Sequence, residues 1–294
     1  MRFYGREIRT WKANLHTHTV GSDGMFTPSQ IASLYEAAGY DVLFLSDHRR
    51  TNDVSDLQDR KIRVYSGVEL HPKGPREILW HILGLGVPFE FNVHPASGQE
   101  AIDSVNAVGG VAFVAHPYWC GLTSAEVMTL HGYAGIEVYN TSCRYRGTEF
   151  NMQTWDEMLD AGELPSAIAV DDVHHCRELF HGWTMVCAED NSEEAILSAL
   201  RKGEFYATMG PEFKSLSFDG KFFEAEFTEV ESAVLISNKS RGFRETVPGD
   251  PFPSSHIMAT KMRVDVSGLP AGSYIRCQIR DTQGHYAWSN PILI

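Results

Sequence analysis

The segment from Asn14 to Gly24, NLHTHTVGSDG, places His16 and His18 one residue apart and Asp23 five residues further on. Along an extended strand side chains alternate between faces, so the two imidazoles share one face and Thr17 takes the other. The same spacing puts Asp172 and His174 of DDVH on one face. His48 in SDH, Glu69 in GVEL, His81 in WHILGLGV and His116 in AHP add more groups of the same kinds. Imidazole and carboxylate together suit zinc, manganese or iron. Burying several carboxylates without a cation would be costly. A lone HxH or DxH is weak evidence, since a single strand-end histidine is more often a hydrogen-bonded structural residue. The joint occurrence of HxH, DH, GVE, AHP and DDVH predicts a metal site.

These groups need elements to carry them. Seven short apolar, β-branched or aromatic runs do so: WKANLHTH, YDVLFLSDH, IRVYSGVEL, WHILGLGV, GGVAFVAHP, AGIEVYN and PSAIAVDDVHH. Helical segments lie between several of them. TPSQIASLYEAAGY has Thr27 as N-cap, Pro28 at the first helical position and Gly39 as stop. SGQEAIDSVNAVGG, TSAEVMTLHGY and TEFNMQTWDEMLDAGE follow, and SEEAILSALRKGE is capped by Ser192 and stopped by Gly203. Strands alternating with helices predict βαβ units, a parallel sheet and, at seven repeats, a closed or nearly closed barrel. Sites in such barrels gather at the C-terminal strand ends, and most of the candidates sit there. His81, at the start of its run, does not obey that rule. From about Pro211 the pattern changes to short alternating segments separated by DG, SG, PAG and QG turns, which predicts a small antiparallel sandwich. The expected division is 1–210 and 211–294.

The chain has 294 residues and a formal net charge of −13. That balance argues against a nucleic-acid partner, but not against an anionic substrate once divalent cations reverse the local field. Five cysteines, none at CxxC spacing, argue against a disulfide framework or zinc ribbon. The N-terminus lacks an apolar signal-peptide core, and no apolar run approaches the roughly 18 residues of a membrane helix. A reduced, cytoplasmic location and no membrane partner are the expectation. No GxSxG elbow and no recognised cysteine nucleophile motif is present.

In order, HTHTVGSDG, LSDHR, GVEL, HILGLG, AHP and AVDDVH resemble the PHP superfamily, the polymerase and histidinol phosphatase domain, over residues 13 to about 210. IEVYNTSC, HGWTMV, EFYATMGPEF and AWSNPI resemble its carbaryl hydrolase-like branch and extend the likeness over nearly the whole chain. The resemblance implies an α/β fold: a distorted seven-stranded (β/α)7 barrel of PHP type, TIM-like, with a small C-terminal all-β sandwich. It implies two or three divalent metal ions, zinc, manganese or iron. His16, His18, Glu69 and Asp172 would hold one ion. Glu69 would bridge to a second, held with His81 and His116. Asp23, His48 and His174 would form the remaining corner. Asp47 and Asp171 are expected to orient neighbours or to accept the N–H of a ligand imidazole.

Where many relatives carry a polar Asn after SDH, this chain has Arg49 and Arg50. Arg49 is a candidate grip on a substrate anion, or else a solvated loop charge. Arg144 and Arg146 in NTSCRYRGTEF are candidate specificity residues or solvent-facing. Asn140, Tyr118 and Trp119 are candidate substrate contacts, and core packing is the alternative for the two aromatics. His174 or His175 could protonate a leaving group, and His181 also lies near in sequence. His71, His94, His131, His256 and His285 fit no ligand pattern and are expected to be structural or exposed, and Cys143 to be a small buried residue.

The expected function is a metal-dependent hydrolase, a phosphoesterase using a metal-bound hydroxide at a di- or trinuclear site. Two alternatives stand beside it: a carbamate or carboxyl-ester hydrolase at the same metals, and a non-catalytic metal-binding structural or sensing module. The expected partner is a small-molecule phosphate ester or carbamate. A phosphate ester calls for Arg or Lys at the mouth, with Arg49 and Arg144 first in line. A carbamate calls for an aromatic, weakly charged mouth around Trp119 and Tyr118.

Overall fold

The computed structural model describes residues 1–244 and 258–294, so His256 lies outside the described residues. Each of the seven apolar runs forms a strand: β1 Thr10–Asn14, β2 Val42–Leu45, β3 Arg63–Leu70, β4 Ile82–Leu85, β5 Val111–Val114, β6 Gly135–Asn140 and β7 Ser166–Val170. They are hydrogen-bonded neighbours in that order. Most are buried along their whole length, which explains why their sequences are nearly continuous in apolar residues. Four longer helices pack around them: α1 Pro28–Ala37, α2 Gly98–Ala107, α3 Met152–Asp160 and α4 Glu193–Lys202. Thr27 and Gln30 form a capping box on α1, while Ser97 and Ser192 cap α2 and α4. Gly203 ends α4 in the left-handed region. The expected helix in TSAEVMTLHGY is only a turn, Ser124–Val127.

The sheet departs from the parallel expectation at one place. β1, β2 and β3 run parallel, as do β5, β6 and β7, but β4 is antiparallel to both β3 and β5. The connection 71–81 carries only a 3₁₀ turn at Pro75–Glu77, too short for the helical crossover that a parallel neighbour requires. Reversal of β4 brings its beginning, at His81, to the edge where β3 and β5 end. His81 therefore joins the other candidates for the same topological reason that made it look misplaced.

The sheet is also not a closed barrel. From β1 its ladder passes to β8, Trp183–Cys187, and β9, Phe205–Thr208, both antiparallel, instead of returning to β7. β7 meets β8 through one side chain: the Thr184 hydroxyl donates to the Ala169 carbonyl at 3.0 Å and accepts from its N–H at 3.3 Å. Beyond the strand ends, Thr17 and Val173 form a single parallel bridge. A mixed α/β sheet with two approaching ends thus replaces the expected ring.

After residue 211 come β10 Phe213–Phe218, β11 Phe222–Val230, β12 Ser232–Ser237, β13 Ala259–Asp265, β14 Tyr274–Arg280 and β15 Tyr286–Ser289. β10, β11 and β13 form one sheet, which Arg2–Phe3 joins in parallel to β10, followed by Arg6–Glu7. β12, β14 and β15 form the other, and β15 pairs with β9, so this ladder is continuous with the site-bearing sheet. Phe213, Phe223, Phe227, Leu235, Ile275 and Ile279 fill the space between the two layers.

A buried cation ties α3 to this region. Arg276 on β14 is 1% exposed and bonds Asp156 Oδ1 through Nε at 2.9 Å and Nη2 at 2.6 Å. Its guanidinium also lies 4.6 Å from the Trp155 ring centre. Asp156 is the more exposed partner. Asp156→Ala strands a buried charge and is expected to cost about 3 kcal/mol, and Arg276→Met, which removes that charge, to cost less. Urea denaturation of the two variants measures the difference.

Candidate metal centre

Four candidate ligand atoms converge at the C-terminal ends of β1, β3 and β7. His18 Nε2 lies 3.1 Å from His16 Nε2, 3.0 Å from Asp172 Oδ1 and 3.5 Å from Glu69 Oε2. His16 Nε2 lies 3.4 Å from Asp172 Oδ1 and 3.5 Å from Glu69 Oε2. Two donors held about 2.0–2.2 Å from one cation stand roughly 3–3.5 Å apart. Glu69 Oε2 and Asp172 Oδ1 are buried and accept no well-formed hydrogen bond, although His48 Nδ1 stands 2.6 Å from Glu69 Oε2. A buried carboxylate oxygen without a donor is costly, and a divalent cation would satisfy both. The donor set fits the group.

The other oxygen of Glu69 faces a second group. Glu69 Oε1 lies 2.7 Å from His81 Nδ1 and 3.3 Å from His116 Nε2. Asp23 gathers the third: Oδ2 is 3.2 Å from His48 Nε2, and Oδ1 is 3.5 Å from His174 Nε2. The whole expected ligand set is therefore in one cluster. His71 joins it, contrary to the expectation that it fits no pattern. His71 Nε2 is 3.2 Å from Glu69 Oε2 and 3.0 Å from His48 Nδ1, and its ring stacks on His81 at 4.1 Å. The spacing of Glu69 and His71 repeats that of His16 and His18 and was the signal for it. Cys120 Sγ, also unanticipated, lies 3.5 Å from His116 Nδ1.

Glu137 was not singled out in the sequence, although a carboxylate in the wholly buried strand β6 is itself a signal. Its Oε1 accepts His16 Nδ1–H at 2.7 Å, and its Oε2 accepts the His116 N–H at 2.9 Å and Asn140 Nδ2 at 2.8 Å. This leaves the lone pair of His16 on Nε2, inside the cluster. His174 is fixed likewise: Nδ1–H donates to the Asp172 carbonyl at 2.9 Å, leaving Nε2 toward Asp23. Asp47 and Asp171 accept no ligand imidazole. Asp47 takes the Thr19 N–H at 2.7 Å, the Ser22 hydroxyl and Asn52 Nδ2 at 2.6 Å. Asp171 takes Tyr35 Oη at 2.7 Å and the N–H groups of Phe180, His181 and Gly182. Each clamps a loop of the site. In the first of these loops Gly24 sits so close to the His18 carbonyl that a Cβ would collide with it. Arg49, His116 and Asp172 all hold positive φ just beyond their strands, strain of about 1–3 kcal/mol each that the surrounding structure must offset.

Burial opposes charge on His16, but Asp172, Glu137 and Glu69 hold its pKa well above the usual imidazole value. Burial likewise disfavours ionised Glu69 and Asp172, yet the facing histidines hold both well below the usual carboxylate range. His18 is shifted down by burial. At neutral pH a cation must therefore displace the His16 proton.

A cavity of about 310 Å³ opens over the cluster, with Glu69, His81, His116 and Asp172 below and Trp119, Tyr145, His175 and Arg177 around it. Of the residues expected to meet substrate, Trp119 and His175 line it. Tyr118 is 54% exposed and lies outside it. Asn140 is fully enclosed, with Nδ2 given to Glu137 and Asp172 and Oδ1 accepting the Cys143 N–H. Arg49 is exposed outside the cavity, and Arg144 is bonded to Tyr145 Oη, the Arg177 carbonyl and His181. Cys143 is buried, as expected. A larger groove of about 860 Å³ on the outer sheet contains no histidine. Its Arg2–Glu7 and Arg263–Glu224 pairs mark a solvated sheet face.

One solved structure shares this fold over almost the whole chain. A two-domain protein from Bacteroides vulgatus ATCC 8482, described as containing a predicted PHP-like metal-dependent phosphoesterase, superposes over 98% of this chain and 95% of its own, at a TM-score of 0.57 and 16% identity. An amidohydrolase from Chromobacterium violaceum covers 55% of this chain and 87% of its own, at 0.46 and 18% identity. A lesion-specific endonuclease from Pyrococcus furiosus covers 66% and 56%, at 0.45 and 12%. A family model described as "Protein of unknown function (DUF3604)" matches residues 131–243. No curated protein matches the chain. Among the described residues, no helix is long and apolar enough to cross a membrane.

Manganese binding is expected to release protons and to weaken as pH falls, because the raised pKa of His16 lets a proton compete at lower pH. Glu137→Gln is expected to lower affinity about 10- to 100-fold. Calorimetry in buffers of different ionisation enthalpy reads both.

Proposed function

We propose that this chain is a metal-dependent phosphoesterase. The observation that carries the proposal is the pair of buried carboxylate oxygens without a well-formed hydrogen bond, Glu69 Oε2 and Asp172 Oδ1, crowded by imidazole nitrogens of His16, His18, His48 and His71 at the floor of an open cavity. His16, His18, Glu69 and Asp172 would hold one divalent ion, and His81 and His116 would share Glu69 to hold another. Asp23, His48 and His174 would form the third corner. Divalent ions there supply Lewis-acid charge for a phosphoryl oxygen and lower the pKa of water.

The chain's own groups have separate tasks. Glu137 keeps the His16 lone pair on Nε2. His174, committed through both nitrogens, is poorly placed to move a proton. His175 is better placed as the proton donor to a leaving oxygen. Its side chain is 58% exposed on the cavity wall, and its Nδ1 lies 3.5 Å from Glu178 Oε1. Glu178 is buried and anchored by the N–H groups of His174 and His175, each at 2.6 Å. The cation on the wall, Arg177, favours a charged ester over the neutral carbamate of the carbaryl hydrolase-like branch.

The manganese-loaded protein is expected to hydrolyse p-nitrophenyl phosphate or bis-p-nitrophenyl phosphate, and to lose this activity with a chelator or in a His16→Ala, Glu69→Ala double variant. Turnover of 1-naphthyl methylcarbamate alone would move the chemistry to a carboxyl centre, and silence on all three would leave a non-catalytic module. His175→Ala is expected to slow phenyl phosphate hydrolysis about 100-fold and p-nitrophenyl phosphate far less. The better leaving group needs less help from a proton.

A further inference from the structure

We infer that Arg177 is the anion receptor of this pocket and selects compact phosphate esters over neutral esters and carbamates. The inference rests on the phosphoesterase proposal and assigns its specificity. Arg177 lies in the 3₁₀ turn Cys176–Glu178, three residues past the cluster residue His174. Its guanidinium sits 4.1 Å from the centre of the Tyr145 ring, and both side chains line the cavity above Glu69 and Asp172. That cation–π contact supports the guanidinium plane from one side. Nε is 3.4 Å from Glu178 Oε1, while Nη1 and Nη2 have no hydrogen-bond partner among the described residues. A planar fork with its terminal nitrogens unused matches two non-bridging phosphate oxygens.

The turn that carries this fork is anchored. The Arg177 carbonyl accepts Arg144 Nη2 at 2.5 Å and Tyr145 Oη at 3.2 Å, and Arg144 Nη2 also lies 2.9 Å from Tyr145 Oη. Arg144, expected from sequence to grip substrate, instead holds the residue that does.

Charge points the same way. Two divalent ions would balance the carboxylates of Asp23, Glu69, Glu137 and Asp172, and a phosphate dianion would then call for a further cation. Glu178 reaches Arg177 only at Nε, at 3.4 Å, and its other oxygen is held by two backbone N–H groups, so it does not occupy the terminal nitrogens. A neutral carbamate offers the guanidinium one carbonyl oxygen and no charge, and so gains less from it than a phosphate does. At about 310 Å³ the cavity is at the small end of ligand sites, which suits a compact ester.

The test is binding of phenylphosphonate, which cannot be hydrolysed as an ester, to the manganese-loaded full-length protein by calorimetry. Wild type, Arg177→Met, Arg177→Lys and Arg49→Met are compared, with metal content and circular dichroism checked for each. Arg177→Met is expected to weaken binding about 10- to 100-fold, with partial recovery in Arg177→Lys and no change in Arg49→Met. In parallel, the KM for phenyl phosphate should rise more than kcat falls. Equal phosphonate affinity in wild type and Arg177→Met, with phosphate esters still hydrolysed, would overturn the inference and leave the phosphoesterase proposal intact. Loss of affinity in Arg49→Met instead would also overturn it. Metal-loaded wild type that neither binds phenylphosphonate nor hydrolyses phosphate esters would overturn both.

Discussion

Glu69 is fully buried, and its two oxygens face different partners: Oε2 turns to His16 and His18, Oε1 to His81 and His116. An ionised carboxylate in that position is unfavourable unless positive charge surrounds it. Imidazoles alone meet the demand only by taking up protons, as the raised pKa of His16 indicates. Divalent cations would meet it without protons and would leave the imidazoles neutral. The rest of the architecture serves this requirement, because every strand that approaches Glu69 brings a nitrogen or an oxygen to its end.

Support is distributed among groups that never reach the cavity. Glu137 sets the tautomer of His16 from within a buried strand. Asp47 and Asp171 hold the loops that carry Asp23 and His181. His116 and Asp172 keep positive φ angles that an isolated segment would not adopt. Such strain persists only where packing fixes the backbone on both sides, and the apolar strands Val111–Val114 and Ser166–Val170 provide that packing.

The C-terminal strands share in this stability. The ladder from Trp183–Cys187 through Phe205–Thr208 to Tyr286–Ser289 links the site-bearing sheet to one layer of the sandwich. The first residues of the chain pair with the other layer, ahead of the strand that leads to His16. Arg276 adds a buried polar tie to the helix Met152–Asp160. The segment bearing His16 and His18 is thereby anchored at its start by the sandwich and at its end by the cluster.

Much of this was legible in the sequence. All seven apolar runs became strands, two of the four longer helices carry the caps expected from the sequence, Thr27 and Ser192, and the full proposed ligand set lies together. Those features are written locally: hydrophobic runs define strands, Thr27, Ser97 and Ser192 satisfy free N–H groups, and i, i+2 spacing places two side chains on one face. The reversal of the strand Ile82–Leu85 was not legible, because strand direction depends on how short a connection must cross the sheet. Nor was the open end of the sheet, where one threonine hydroxyl takes the place of a ladder. Glu137 and His71 acquire their roles only through partners distant in the chain or across the cluster. The arginines show the division most directly. Arg49, Arg144 and Arg177 are equivalent cations in sequence, and only the tertiary structure decides which is spent on solvent, which on the backbone of a turn, and which faces the cavity with its terminal nitrogens unused.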